Sequence, residues 1–286
     1  MTVHPRLASH LAPPDPAVLP LPPAAHPADG VRLLRAVPYA AHDGARPLEL
    51  DVWLPEEPVG GPLPVIVFLH GGAWRTGLRD TLGPRFRAWR PGPFARLVRA
   101  GFAVVCPDYR LSGEAVFPAQ LDDLGAALAW LRTRAAELGV DPERTVVWGE
   151  SAGGHLAALL ALTADPAPRG CVVWYGPSDL TAAPAYTPEA ALLGAPAAGV
   201  PDLARAASPA ARVGPGAPPF LILHGAEDSV IPVAQGEALA SALEAAGAAV
   251  ELRTVPGADH LWIGASEADV ARCFADSLDF ARSRTR

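Results

Sequence analysis

The chain has 286 residues, half of them hydrophobic and 19% charged, with a formal net charge of −7. That length and apolar share allow a sizeable core and exclude a disordered chain. All 23 basic residues are dispersed arginines, so no basic stripe is present to neutralise nucleic-acid phosphates, and no run is long and apolar enough to span a bilayer.

Residues 1–30 carry eight prolines and no basic region followed by an apolar run, so they read as a Pro-rich arm draped on the surface rather than a signal peptide. The expected location is the cytoplasm. From residue 31 to 286 a single domain is expected. Residues 32–40 and 48–54 flank the turn-rich His42-Asp43-Gly44 and read as a β-hairpin. Short apolar runs then recur at 64–70, 102–106, 145–148, 171–175, 220–223 and 250–255. They lack alternation, as strands buried on both faces of a parallel sheet do.

Helical patterns lie between these runs. Leu121, Leu124, Leu128, Leu131, Ala135 and Leu138 share one face of a helix that starts near Pro118 and is ended by Gly139. Leu156, Leu159 and Leu160 mark a second, residues 234–246 a third that Gly247 stops, and Val270, Phe274 and Leu278 the last. Strands alternating with helices predict an α/β protein, with eight mostly parallel strands and helices on both faces. The Pro- and Ala-rich stretch at about 177–219 is expected to be an irregular lid over the carboxyl edge of the sheet, where such folds bind ligands. Cys106, Cys171 and Cys273 are scattered among apolar neighbours, which suggests buried free thiols rather than a zinc site or a disulfide framework.

The chemistry concentrates at three places. Gly149-Glu150-Ser151-Ala152-Gly153-Gly154 joins a strand to a helix, the setting in which G-x-S-x-G presents a nucleophilic serine on a tight elbow. A serine hydroxyl needs a base, and the base needs an orienting acid. Asp228 follows the strand at 220–223 and His260 follows the strand at 250–255, so both lie at the same sheet edge as Ser151. Glu227 and Asp259 are rivals for the acid, with Asp259 discounted because adjacent side chains on an extended loop diverge. His70 and His224, at strand ends, read as structural hydrogen-bonders, and His155, on the elbow helix, as a packing or capping residue. His70-Gly71-Gly72-Ala73-Trp74 directly follows a strand, and its bare amides are suited to a developing oxyanion. Ala152 N–H is expected to supply one donor, and Gly72 with Ala73 or Gly71 the others. Trp74 and Trp262 are candidates for either pocket wall or core. Asp108-Tyr109-Arg110 reads as a structural hydrogen-bond and ion-pair cluster near the site, and Glu150 as an anchor for neighbouring loops.

Together, His70-Gly-Gly-Ala-Trp, Asp108-Tyr-Arg, Gly149-Glu-Ser-Ala-Gly-Gly, Asp228 and His260 resemble the α/β-hydrolase superfamily, most closely its BD-FAE-like and hormone-sensitive-lipase-like esterases. The likeness extends over residues 30–283. Two features depart from the lipase-like pattern: Ala73 stands where many members have a third glycine, and Ala73-Trp74 is also similar to the HGG-x-W form of kynurenine formamidases. The resemblance implies a serine carboxylesterase that uses a Ser151–His260–Asp228 triad and a Gly72, Ala73 and Ala152 oxyanion hole. No metal or organic cofactor is expected. The partner is a small to medium acyl ester, and the chain is expected to be a monomer or homodimer. An arylformamidase or small peptidase with the same machinery is the alternative, and a non-catalytic binding protein the remaining one.

Overall fold

The structure, a computed structural model, describes residues 15–42, 46–57 and 60–286. The strands are β1 (Ala25–Ala28), β2 (Val31–Ala40), β3 (Leu48–Pro55), β4 (Leu63–Leu69), β5 (Ala103–Pro107), β6 (Val140–Glu150), β7 (Gly170–Trp174), β8 (Phe220–Gly225) and β9 (Val250–Val255). They form one sheet in the order β1-β2-β3-β5-β4-β6-β7-β8-β9. The three pairings from β1 to β5 are antiparallel and those from β5 to β9 parallel. Every residue of β5, β7 and β8 is buried, which is why these runs are apolar throughout rather than alternating.

The sheet has nine strands among the described residues where eight were expected. The extra one is β1, Ala25-His-Pro-Ala, which pairs only with β2 at the sheet edge. Its Pro27 hides it from a strand pattern, because proline lacks a ladder donor and is tolerated only where no neighbour needs one. The leading hairpin pairs Ala40 with Leu48. Of its expected turn, Asp43 and Gly44 lie outside the described residues.

The helices are α1 (Pro93–Arg99), α2 (Ala119–Leu138), α3 (Ala152–Thr163), α4 (Pro188–Leu193), α5 (Pro201–Ala206), α6 (Pro209–Arg212), α7 (Ala234–Ala245) and α8 (Glu267–Arg284). Gly139, left-handed at φ 70°, ends α2 where the leucine spacing predicts. Leu124, Leu131, Leu156, Leu159, Leu239 and Leu243 of α2, α3 and α7 fill the core on one face of the sheet. Phe94 and Leu97 of α1, with Val270 and Phe274 of α8, fill the other. Cys106, Cys171 and Cys273 are free and buried. No helix among the described residues is long and apolar enough to cross a membrane.

The stretch after β7, expected to be irregular, carries α4, α5 and α6, each opened by a proline at its first turn. Proline there is pre-set for the helical φ and gives up an amide that has no partner anyway. Gln235 at the start of α7 accepts from the Ser178 and Asp179 amides at 2.7 and 2.8 Å, and Leu180 N–H donates to Ser208 Oγ at 2.8 Å. The first two bonds tie the stretch to α7, and the third closes it on itself.

Candidate active site

Ser151 joins the end of β6 to the start of α3, as the helix's N-cap, at φ 54°, ψ −121°. A non-glycine residue reaches this conformation only when its surroundings over-determine it, and here they do. A Cβ on Gly149 would collide with the Gly153 carbonyl, and one on Gly153 with the Leu69 carbonyl, so the elbow closes only with glycine at both positions. Ser151 N–H donates to Trp174 O at 2.9 Å, and His155 N–H returns to Ser151 O at 3.0 Å. The hydroxyl is thereby held above the sheet edge.

Ser151 Oγ lies 3.0 Å from His260 Nε2. His260 Nδ1 lies 2.8 Å from Asp228 Oδ2. The two contacts suit the tautomer in which Nδ1–H donates to the carboxylate and Nε2 accepts from the hydroxyl. The other Asp228 oxygen, Oδ1, accepts from the Val230 and Ile231 amides at 2.9 and 2.7 Å. Burial disfavours the Asp228 carboxylate, but the hydrogen bond from His260, these two amides and the imidazole's charge outweigh it and hold its pKa below the ordinary value. His260 enters the site from a tight reversal: Leu261 and Trp262 are both left-handed, at φ 60° and 61°, and Ile263 N–H donates to His260 O at 3.2 Å. The Tyr175 ring packs edge-on against the imidazole, with centroids 4.9 Å apart.

The rival carboxylates face elsewhere. Asp259 Oδ1 accepts from Ser229 N–H at 2.7 Å and from the His260 amide at 2.6 Å, so it braces the backbone of the histidine and leaves the ring alone. Glu227 is exposed.

In the loop after β4, Gly71 N–H donates to Glu150 Oε1 at 2.9 Å. Of the candidate oxyanion donors, Gly71 is therefore already engaged. The Gly72 and Ala73 amides have no backbone acceptor among the described residues, and Ala152 is the first residue of α3, where an N–H has no intrahelical partner. Gly72, Ala73, Ala152, Ser151 and His260 all line one cavity of about 760 Å³. Its remaining wall comes from Trp74, from Val230 to Pro232, and from the stretch between Pro177 and Glu189.

Both tryptophans are buried, and they differ in what they reach. Trp74 is a core residue, 2% exposed, that also lines the cavity. Trp262, a candidate for pocket wall, is a core residue instead: it is wholly buried and packs edge-on against Tyr175 and Trp174, with centroids at 4.7 and 5.6 Å. Its left-handed backbone turns the indole down beneath His260, and residue type alone does not reveal that turn. Gln235, Thr187 and Ile231 were missed as cavity residues. They come from elements distant in sequence and belong to no motif.

The anchoring groups behave as their positions suggest. Tyr109 OH donates to His70 O at 2.9 Å, and its ring stacks on His70 at 4.5 Å. Asp108 binds Arg79 at 2.6 Å, and Arg110 binds the buried Asp123 at 2.7 Å. His70 Nδ1 donates to Gly71 O at 2.7 Å, and His224 Nε2 to Ile231 O at 2.8 Å. Burial pushes the Glu150 carboxyl up, so it is a group held in place by the fold at a cost in charge solvation.

His155 Nε2 donates to Ala207 O at 2.7 Å, and its Nδ1 is buried without a partner. Burial pushes its pKa down from 6.5 to about 4. Because the folded value is the lower one, the unfolded chain binds the proton first as pH falls. Stability from this group is therefore complete above about pH 6.5, declines to about pH 4 and is flat below. The shift corresponds to about 3 kcal/mol. Thermal unfolding at about pH 7 and about pH 4.5 checks this: His155→Gln is expected to flatten the acid-side fall in Tm relative to wild type, whatever its Tm at neutral pH.

The BD-FAE family profile matches residues 50–243. The esterase LipQ of Mycobacterium tuberculosis is 35% identical over 78% of this chain and 56% of its own length. LipC, an esterase of the same organism, is 35% identical over 74% of this chain and 56% of its own. The chain thus spans little more than half the length of these curated relatives. Among solved structures, a truncated carbohydrate esterase from gut microbiota superimposes with a TM-score of 0.77 at 28% identity, covering 88% of this chain and 96% of that one. Est2, a thermophilic esterase of the planctomycete Thermogutta terrifontis, gives a TM-score of 0.70 at 25% identity, covering 88% and 91%.

Proposed function

Because this chain belongs to the BD-FAE family and has the α/β-hydrolase fold, we propose that it is a serine carboxylesterase acting on small to medium acyl esters. The observation that carries the reading is the unbroken Ser151–His260–Asp228 hydrogen-bond chain opening into a cavity. In this reading Ser151 Oγ attacks the ester carbonyl while its proton passes to His260 Nε2. The oxyanion of the tetrahedral intermediate takes hydrogen bonds from the Gly72, Ala73 and Ala152 amides, each lowering the barrier by about 3 kcal/mol. His260 then gives its proton to the leaving alkoxide, and the acyl-enzyme forms. Water, deprotonated by the same imidazole, attacks the acyl carbon, and the returning proton restores Ser151. Asp228 holds the ring and offsets the imidazolium charge. The stretch at about 177–219, whose residues between Pro177 and Glu189 line the cavity, acts as the lid.

The cavity volume suits a compact ligand, and its wall of Ala182, Ala183, Pro184 and Pro188 closes over the serine. Among p-nitrophenyl esters, kcat/KM is expected to peak at the acetate, butyrate or octanoate and to fall by about tenfold or more at the palmitate, whose chain exceeds what such a pocket encloses. A maximum at the palmitate overturns the size assignment. Efficient turnover of N-formylkynurenine with no ester activity overturns the ester assignment in favour of an arylformamidase.

A further inference from the structure

Beside the catalytic cavity lies a second compartment of about 750 Å³, lined by Arg75, Ser112, Gly113, the segment Ala185–Thr187, and Ala190, Ala191, Ala195 and Pro196. The two compartments share Thr187 as a common wall. Their charges differ in sign. Apart from His260, the ionisable residues lining the catalytic cavity are Asp179 and Glu189, whereas the one charged residue lining the second is Arg75.

Arg75 is placed by the loop that carries the oxyanion amides. Its N–H and that of Thr76 both donate to Gly72 O, at 3.0 and 3.1 Å. Ala73 and Trp74 are both left-handed, at φ 55°, and this reversal sends Trp74 to the catalytic cavity and Arg75 to its neighbour. Ser112 N–H donates to Trp74 O at 2.7 Å and pins the floor of the second compartment to the same turn. The Arg75 side chain is exposed, with no ion pair or hydrogen bond among the described residues. In an acidic chain, most of whose arginines are paired to carboxylates or carbonyls, a free guanidinium at the lip of a pocket is a standing counter-ion. The remaining wall is largely alanine, with the fully exposed Tyr186 ring on its rim. Small apolar walls with one cation at an end suit an apolar spacer that terminates in an anion.

We propose, on the premise that the protein is an esterase, that this compartment is a subsite for ester substrates bearing a carboxylate remote from the scissile bond, with Arg75 as the carboxylate's counter-ion. Glu189 and Asp179 reinforce the choice by repelling the same anion from the catalytic cavity. The carboxylate can be carried on the acyl side or on the alcohol side, and two substrate pairs separate these sources. One pair is the p-nitrophenyl monoester of suberic acid against the same chain ended by a carboxamide. The other is the butyrate ester of ω-hydroxycaproic acid against the butyrate of its carboxamide.

For one of these pairs, kcat/KM is expected to favour the carboxylate member by about three- to tenfold at low ionic strength, the range of a partly screened charge-assisted contact. The preference is expected to shrink in added salt, to vanish in Arg75→Gln and to survive in part in Arg75→Lys. The ratio within a pair is the readout, so any effect of substitution on the shared turn cancels. Equal rates within both pairs, or a preference that persists in Arg75→Gln, overturn the subsite. Failure to hydrolyse even the carboxamide-ended esters overturns the esterase reading and the subsite with it.

Discussion

Replacing Ser151 with alanine is expected to lower kcat on p-nitrophenyl butyrate by about a millionfold, the scale at which a nucleophile and its base act as one unit. Oγ is the atom that would form the bond to the acyl carbon, and no other hydroxyl is hydrogen-bonded to His260 Nε2 among the described residues. Fold loss would not account for the result. Among the described residues Ser151 Oγ makes no hydrogen bond besides that to His260, and the strained elbow backbone rests on Gly149, Gly153 and the Trp174 carbonyl. The Tm of Ser151→Ala is therefore expected to stay within about 2 °C of wild type, as for the loss of a single hydrogen bond without a change in packing, worth about half a kcal/mol. A fluorophosphonate probe gives an independent reading by intact mass: one adduct on wild type and none on the variant. Retained turnover, or an adduct on Ser151→Ala, would falsify the assigned nucleophile.

Asp228→Asn is expected to cost about 10⁴ in kcat, whereas Asp259→Asn is expected to cost less than about tenfold. The structure supplies the reason for the contrast. Asp228 Oδ1 is held by the Val230 and Ile231 amides, so an asparagine would keep its carbonyl oxygen there and turn its NH₂ toward His260. That amide donates and cannot accept, which drives the ring proton from Nδ1 to Nε2. A protonated Nε2 cannot take the serine proton. Asp259 bonds Ser229 and the histidine's own amide, so its loss loosens the loop without changing the tautomer. Steady-state kinetics of the two variants, with Tm measured alongside, distinguish the roles. Equal losses from both would mean that position in the loop, rather than contact with the ring, matters.

Much of this site is legible in one dimension because its parts are local. A glycine-flanked serine between an apolar strand and an apolar helix dictates a tight elbow wherever it occurs. The leucine spacing of α2 and the glycine after it specify a helix and its end without reference to neighbours. The placement of Asp228 and His260 follows from chain order and from the rule that loops at one sheet edge meet. Other features are not local. Adjacency to His260 already discounts Asp259 as the ring's partner, but what holds it instead, Ser229, lies thirty residues away in the chain. The helices α4 to α6 are too short to show a periodicity, and β1 contains a proline that only an edge allows.

Sequence by itself thus determined the alternation of strands and helices, the glycine-flanked serine elbow, and the pool of residues from which a candidate acid, base and amides could be drawn. These depend on backbone conformational preference and apolar periodicity, which act over a few residues. Tertiary structure decided the rest: that Gly71 N–H is already bound by Glu150, that both tryptophans are buried but Trp74 lines the cavity and Trp262 does not, and that an arginine faces a second compartment beside the serine. Each of these depends on which hydrogen-bond partner or apolar surface lies nearest once distant segments pack. That competition has no counterpart in the order of residues along the chain.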